Sequence, residues 1–480
     1  MSQQNSFLKK SFRSSADRVS DQKNISRRAF LGGVGAASAL AMSGCAAPIG
    51  ARQSYLTGFV AKQNVNPVFY WTDIILQAVR DQLVAPPLAT RGLAMGHVAG
   101  FLAANGADPR FQTEIGRGPV GADPEVAYGT ACAVAIAEHF QQPFVFDKAK
   151  FLSFFPDSEA KSLGVAWGEH VGRHIVRQRT NDGAEPSKVN FYLGRYPRRR
   201  DSLKWTPTGP LYDAGGGPAF RPTFHRGLLP GFGAVTPWCV SSPNQFGARN
   251  FLDPRSPEFA DEFAHIKEIG ASDSRTRTED QSEIALFWED GPWGASPPGH
   301  FALIGMQLLQ HQPMNFLETA RAMALMSMAQ ADSAISVWHS KFAYDIVRPE
   351  TAIRYRAETF DNPDPRVVSD PNWKSYIPTP PFPTYVSGHS AFGASSTRIL
   401  QHVLGGDDVQ FSGPTPDLVI WPKQLTGVVR RWRSLSQASH ENGMSRIYGG
   451  VHWNIDNVEA LRMGNQIADH VFRTKFPAIA

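Results

Sequence analysis

The sequence predicts an all-α protein built from helical bundles, and three observations carry that prediction. Apolar residues recur at helical spacing through most of the chain beyond residue 67. No repeated strand-and-turn pattern interrupts them, which argues against an α/β enzyme. Asn315 followed three residues later by Glu318 forms a capping box that opens the longest helical run. At 480 residues, 42% of them hydrophobic and 19% charged, the chain can bury a large core and has the composition of an ordinary soluble protein. Beyond the N-terminal segment no apolar stretch reaches 18 residues, which weighs against a multi-span membrane protein.

Residues 1–44 read as an export signal. Ser26-Arg27-Arg28-Ala29-Phe30-Leu31 resembles a twin-arginine signal, and the apolar run Leu31 to Met42 after it is too short for a permanent span. The expected destination is periplasmic or otherwise extracytoplasmic. Met42-Ser43-Gly44-Cys45 resembles a lipoprotein cleavage box, so Cys45 would carry a lipid anchor; the alternative is ordinary cleavage near Ala41 to Ala47. This segment also explains the charge. It holds seven Lys/Arg against two Asp/Glu, the whole excess of 48 basic over 43 acidic side chains, and 41 of each remain after it. No nucleic-acid partner is implied. An oxidising compartment permits a disulfide between Cys132 and Cys239, the alternative being two unpaired buried thiols.

After a linker at 45–67, the chain divides into an N-terminal helical half, 68–330, and a C-terminal half, 331–480. Trp71, Ile74, Ile75, Ala78 and Val79 mark a first helix ending before Pro86-Pro87, and a second runs to about Ala104. Glu125 to Phe140 and Asp157 to Arg179 give two more. His170 and His174 share a face of the last, but without a third ligand they read as an exposed helical surface and not as zinc ligands. Residues 181–256, rich in glycine and proline, read as a long irregular excursion. Its basic cluster Arg195 to Arg200 suits a solvated loop, and Gly215 to Gly217 lacks the lysine and serine of a phosphate-binding loop. Helices resume over Pro257 to Ile269, Thr278 to Asp290 and Phe301 to Gln310. In the long helix from Asn315 toward Lys341, Met323, Met326 and Met328 read as core fillers. Asp332 is either a buried carboxylate orienting a site arginine or a solvent-facing acid.

The chemistry converges on Pro383 to Leu400. Proline and glycine punctuate Thr379 to Gly388 and helical periodicity follows, so Ser387, Gly388 and His389 should stand at a helix N-terminus, where unpaired amides favour an oxyanion. Gly388 lets an anion approach the backbone, and His389 can trade a proton near neutral pH. Upstream, Lys341 and Arg348 are seven residues apart and should lie nearly on one helical face until Pro349. Downstream, Gly449-Gly450 should break the chain so that Arg446 and His452 turn toward one point. Three cations and two histidines are thus available to one oxyanion.

Lys341-x6-Arg348-Pro349, then Ser387-Gly388-His389, then Ser445-Arg446-x5-His452 resembles the pattern of the vanadium-dependent haloperoxidases, within the superfamily that includes type 2 phosphatidic acid phosphatases and bacterial acid phosphatases. Val386 departs from it, standing where the family has proline. Trp338 and the run Arg348-Pro349-Glu350-Thr351-Ala352-Ile353-Arg354 resemble the bacterial haloperoxidase branch, and the likeness spans roughly residues 65 to 475. It implies a haloperoxidase-like fold and a vanadate cofactor without haem. It further implies that His452 ligates vanadium while Lys341, Arg348, Arg446, Ser387 and the Gly388 amide hold the oxygens. His389 would be the acid/base and Lys341 would polarise hydrogen peroxide for attack by halide. Asp456, one helical turn past His452, would accept the other ring N–H; its alternative is an exposed acid at a helix start. Ser390 would hydrogen-bond His389 or simply cap the helix. Phe382 would keep the pocket dry, or only pack. The expected substrates are hydrogen peroxide, bromide, with chloride as the harder halide, and a small organic molecule. An acid phosphatase working through a phosphohistidine is the alternative, an exported oxyanion-binding protein a third reading. Whether the protein forms a homo-oligomer is left open.

Overall fold

The computed structural model describes residues 66–189, 201–207, 227–291, 294–416 and 428–479. The signal segment, Cys45, the Arg195 to Arg200 cluster and Gly215 to Gly217 lie outside them. The architecture is all-α. Its first helices are α1 (Pro67–Asp81), α2 (Pro86–Ala107), α3 (Pro124–Phe140), α4 (Val145–Leu152), α5 (Glu159–Arg179) and the short α6 (Pro186–Val189). Proline opens α1, α2 and α3, where its missing N–H costs nothing, and Asn66 and Asp123 cap the first and third. α5 packs closely on α3 because Gly164, Gly168 and Gly172 repeat every four residues: a Cβ on Gly168 would stand 2.5 Å from the Ala127 carbonyl oxygen. His170 is exposed on α5, stacked on Trp167, as the sequence suggested, whereas His174 is half-buried with Nε2 covered, so the expected exposed face holds for His170 alone.

The described part of 181–256 carries, besides α6, only a 3₁₀ turn at Phe232–Ala234. Asp332 explains how this irregular segment is held. Fully buried, it accepts hydrogen bonds from the backbone N–H groups of Trp238, Cys239 and Val240 at 2.6, 2.8 and 2.9 Å. Its carboxylate therefore pins the excursion and does not orient an arginine of the candidate site. Cys132 and Cys239 are both free thiols.

Helices α7 (Pro257–Ile269), α8 (Glu279–Phe287) and α9 (Ser296–Gln310) lead to α10 (Phe316–Tyr344), which begins at the Asn315/Glu318 capping box. α10 packs against α2, α12 (Gly388–Leu404) and α14 (Asn454–Thr474), so it joins the N-terminal helices to the C-terminal ones. α11 (Pro349–Tyr355) and α13 (Leu435–Tyr448) complete the C-terminal half. A two-stranded antiparallel sheet, β1 (Phe411–Pro414) and β2 (Val429–Trp432), pairs Phe411 with Trp432; strands of four residues are too short to register as alternation in sequence. Among the described residues no helix is long and apolar enough to cross a membrane.

The expectation that Lys341 and Arg348 share a helical face fails. α10 ends at Tyr344, Asp345 takes a left-handed conformation (φ 56°), and Arg348 becomes the extended N-cap of α11. Asp is among the few residues that tolerate that region. The helix assigned to Thr278–Asp290 likewise stops at Phe287, leaving Trp288 to Asp290 as a turn.

Candidate active site

The break after α10 brings Lys341 and Arg348 together from two elements, under a strap formed by residues 378–387. Lys341, buried on the last turn of α10, donates from Nζ to the carbonyls of Pro383 (3.0 Å) and Thr384 (2.9 Å). An ammonium has three donors, so one remains. Arg348 donates from Nε to the Phe382 carbonyl at 2.8 Å and from Nη1 to the Val451 carbonyl at 2.7 Å. Both cations face the ring of Phe382, Lys341 Nζ at 5.0 Å and Arg348 Cζ at 4.9 Å from its centroid. Phe382, itself packed on Trp338, is thus a cation–π platform for the two.

Gly449 and Gly450 end α13 and turn the chain sharply enough for His452 to face Arg348. Gly450 has φ 74°, and a Cβ there would lie 2.3 Å from the Gly270 carbonyl oxygen, so only glycine fits. Arg348 Nη1 is 3.0 Å from His452 Nε2. A guanidinium can only donate, so Nε2 carries the lone pair and Nδ1 the proton. Nδ1 lies 2.7 Å from Asp456 Oδ2, which also accepts from the Thr384 hydroxyl and, at 3.1 Å, from Trp453 N–H. Asp456 is fully buried at the first turn of α14, not exposed.

Ser387 caps α12, its Oγ accepting from Ser390 N–H (3.3 Å) and from the Ser390 hydroxyl (2.9 Å), which leaves its own proton free to donate. Ser390 therefore serves Ser387 and not His389, because the first turn of α12 points its hydroxyl back at the cap. His389 follows on α12, Nε2 3.3 Å from the Glu289 carbonyl oxygen, while Asn442 donates to the His389 carbonyl at 2.7 Å. Arg446, near the end of α13, donates from Nη1 to the Trp288 carbonyl at 3.3 Å.

Burial dominates the electrostatics. It holds Lys341 well below the ordinary lysine value, with Arg348 adding to the effect, and it lowers Arg348 to about 9 and Arg446 to about 10. It also keeps His389 and His452 well below the usual histidine range, reinforced by the neighbouring cations. Asp456 moves the other way, up to about 7, despite its hydrogen bonds and the cations near it. Glu289 and Asp290 act on Arg446, and Asp456 on Lys341 and Arg348, yet two donors stay open: Arg348 Nη2 and Arg446 Nε are buried without a hydrogen-bond partner among the described residues. A Cβ on Gly388 would meet nothing closer than 3.5 Å, so packing does not require glycine there, whereas an anion resting on its amide would. Among the described residues no three His, Cys, Asp or Glu side chains gather as for a bare metal ion. The ammonium, guanidinium, hydroxyl and amide donors suit a tetrahedral oxyanion beside the unprotonated Nε2 of His452.

Thr384, Asn442 and the turn Trp288-Glu289-Asp290 escaped sequence reasoning. The turn sits about 100 residues before His389 in the chain; an acidic pair within a Trp/Gly/Pro run, facing a basic set elsewhere, was its only signal.

Residues 321–477 match the family model of the VCPO second helical-bundle domain. Over 240 residues the chain is 26% identical to the vanadium chloroperoxidase of Curvularia inaequalis, covering 40% of this chain and 38% of that protein. The chain thus spans about two fifths of the length of that curated relative. In fold it is similar to a bacterial vanadium-dependent iodoperoxidase (TM-score 0.69, 21% identity, 87% of this chain and 98% of that one). It is also similar to the apo form of a bacterial vanadium-dependent chloroperoxidase (TM-score 0.63, 18% identity, 81% and 94%). By the sequence of residues 321–477 and by its fold, the chain matches the bacterial vanadium-dependent haloperoxidases.

Proposed function

We propose that the protein is a vanadate-dependent haloperoxidase that oxidises bromide, and chloride less readily, with hydrogen peroxide to hypohalous acid, which halogenates an organic substrate. The observation that carries the proposal is the pair of unpartnered donors, Arg348 Nη2 and Arg446 Nε, buried in the same cluster as the unprotonated Nε2 of His452. In this reading His452 would ligate vanadium, and Lys341, Arg348, Arg446, Ser387 and the Gly388 amide would hold the oxygens. Bound vanadate would act as a Lewis acid that activates hydrogen peroxide toward halide, the metal staying V(V).

The chain's own part is charge and proton management. Asp456 keeps the proton on His452 Nδ1, so Nε2 remains a donor of electrons. His389, kept neutral by burial and with Nε2–H turned to Glu289, holds its lone pair on Nδ1, the atom that would take a proton from hydrogen peroxide and give it back. Phe382 excludes water beside Lys341 without competing for its hydrogen bonds.

The test is purified protein assayed with vanadate, hydrogen peroxide and bromide, beside a phosphomonoester assay without vanadate. Bromide oxidation that requires vanadate is expected. Phosphatase turnover alone would instead select the phosphohistidine reading, with His452 as nucleophile and His389 as acid. We further propose export through the twin-arginine signal. Arg27→Lys with Arg28→Lys should leave the protein in the cytoplasm, and the mass of the mature N-terminus decides whether Cys45 bears lipid.

A further inference from the structure

Resting on the haloperoxidase reading and deepening it, we infer that the cavity beside His389 binds an electron-rich aromatic substrate bearing an N–H or O–H group, a phenol or an indole-type ring, through Asp290 and Ser296. The cavity, about 290 Å³, opens between the α1–α2 connection, the start of α9 and the strap. Leu83, Pro86, Pro297 and Pro381 give it apolar walls, and its inner surface includes His389 and Arg446. A cavity of roughly 150 Å³ accepts one benzene. This one therefore admits a substituted ring or a fused pair of rings, but not a long chain.

Two polar atoms in its lining make no hydrogen bond within the described residues, although the charge of Asp290 also acts on Arg446. Asp290 Oδ2 and Ser296 Oγ are buried and have no hydrogen-bond partner among the described residues. The other Asp290 oxygen, Oδ1, accepts from His300 Nδ1 at 2.9 Å, and His300 stacks on Trp288. The carboxylate is thus held in place with one oxygen still open. Leaving such an acceptor unpaired is costly, and a donor on a ligand would satisfy it. Apolar walls with acceptors at one end select a flat apolar ring with one N–H or O–H.

That same group makes the ring a nucleophile. Hydrogen peroxide and halide, with one proton, give hypohalous acid and water. A ring carbon then attacks the halogen, the carbon–halogen bond forms as the halogen–oxygen bond breaks, and hydroxide leaves. The C–H electron pair restores the aromatic ring, and the released proton and the hydroxide form water. His389, facing the same cavity, is placed to take that proton. Halogenation within the cavity would favour one ring position over the mixture that free hypohalous acid gives.

Binding is measured on the full-length protein by calorimetry, without vanadate or peroxide, comparing phenol with anisole and indole with N-methylindole. The wild type should bind each donor compound about tenfold tighter than its methylated partner, as expected for a hydrogen bond to a charged group. Ser296→Ala and Asp290→Asn should each shrink that ratio, Ser296→Ala without touching the Asp290–His300 pair. Leu228→Trp, which fills the cavity, should weaken donor and methylated compound alike. Equal binding of phenol and anisole by the wild type overturns the inference, as does an unchanged ratio in both polar variants. With vanadate, peroxide and bromide, an ortho/para ratio equal to that of added hypobromous acid would also overturn it. Failure of the haloperoxidase reading would appear elsewhere, as absent bromide oxidation, while the donor preference in binding persisted.

Discussion

Two buried histidines, one in each helical half, look alike until their hydrogen bonds are counted. His97 on α2 has Tyr128 Oη 2.7 Å from Nδ1 and Thr72 Oγ1 3.3 Å from Nε2, and burial pushes its pKa down to about 3. His452 is also buried and also depressed. The depressed pKa therefore does not separate a structural histidine from a functional one. The surroundings do: hydroxyls satisfy both nitrogens of His97, whereas His452 gives Nδ1 to a carboxylate and turns Nε2 toward a cation amid donors with nothing to bind. A closed network builds a core; an open one awaits a ligand.

The sharpest test of this contrast exchanges the two positions. His452→Ala should cut vanadate-dependent turnover by more than about 100-fold and remove measurable vanadate binding. His97→Ala should cost about 2–4 kcal/mol of stability in denaturant unfolding and leave vanadate affinity unchanged. The contrast breaks if the two variants lose the same property. His389→Ala should keep vanadate binding while lowering turnover roughly 10²- to 10⁴-fold, the range of a lost general acid/base.

A second test uses the depressed ammonium of Lys341. Without an anion, burial and Arg348 hold Lys341 well below its ordinary 10.5. A bound dianion favours the ammonium and raises that value, so binding takes up a proton. Affinity should therefore rise as pH falls from 10.5 toward the depressed value, and level off below it. Tungstate, a tetrahedral dianion with no proton of its own near neutrality, is a suitable probe. Calorimetry in buffers of different ionisation heat, run at a pH between the depressed value and 10.5, should show net proton uptake. Zero uptake would mean that Lys341 is already charged, or is not a ligand.

Gly388→Ala should be milder. Its Cβ meets no atom closer than 3.5 Å, so the melting temperature should hardly move, while tungstate affinity should fall about tenfold because the methyl occupies the cradle. Unchanged affinity would place the anion elsewhere. The smallest effect is expected at Phe382, where the ring faces both Lys341 and Arg348. Phe382→His keeps an aromatic ring but admits water, so chloride oxidation should fall a few-fold more than bromide oxidation. Equal losses would reduce Phe382 to a packing residue.

The motif residues were legible because each triplet is local: a lysine or arginine near a helix end, a serine and glycine at a helix start, a histidine after paired glycines. How they meet was less legible. Lys341 and Arg348 converge through the left-handed Asp345, a choice that Asp permits but sequence does not announce. Thr384 and the Trp288–Asp290 turn join the site through contacts that span roughly 70 to 160 residues of chain, beyond any periodicity. Asp456 was readable from its spacing to His452, whereas Asp332, buried as one of its two readings required, proved to anchor a loop.

The continuity of α10 constrains how this protein could be rebuilt from parts. Its 29 residues form a rod about 43 Å long at 1.5 Å per residue. It packs along α2, and its last turn delivers Lys341. A chimaera spliced at residue 330 with a homologous N-terminal half would join two foreign half-rods, and any error in rotation would carry the lysine away from Thr384 at 100° per residue. The crossover belongs in the turn between Gln310 and Phe316, so that a donor domain arrives with the whole rod.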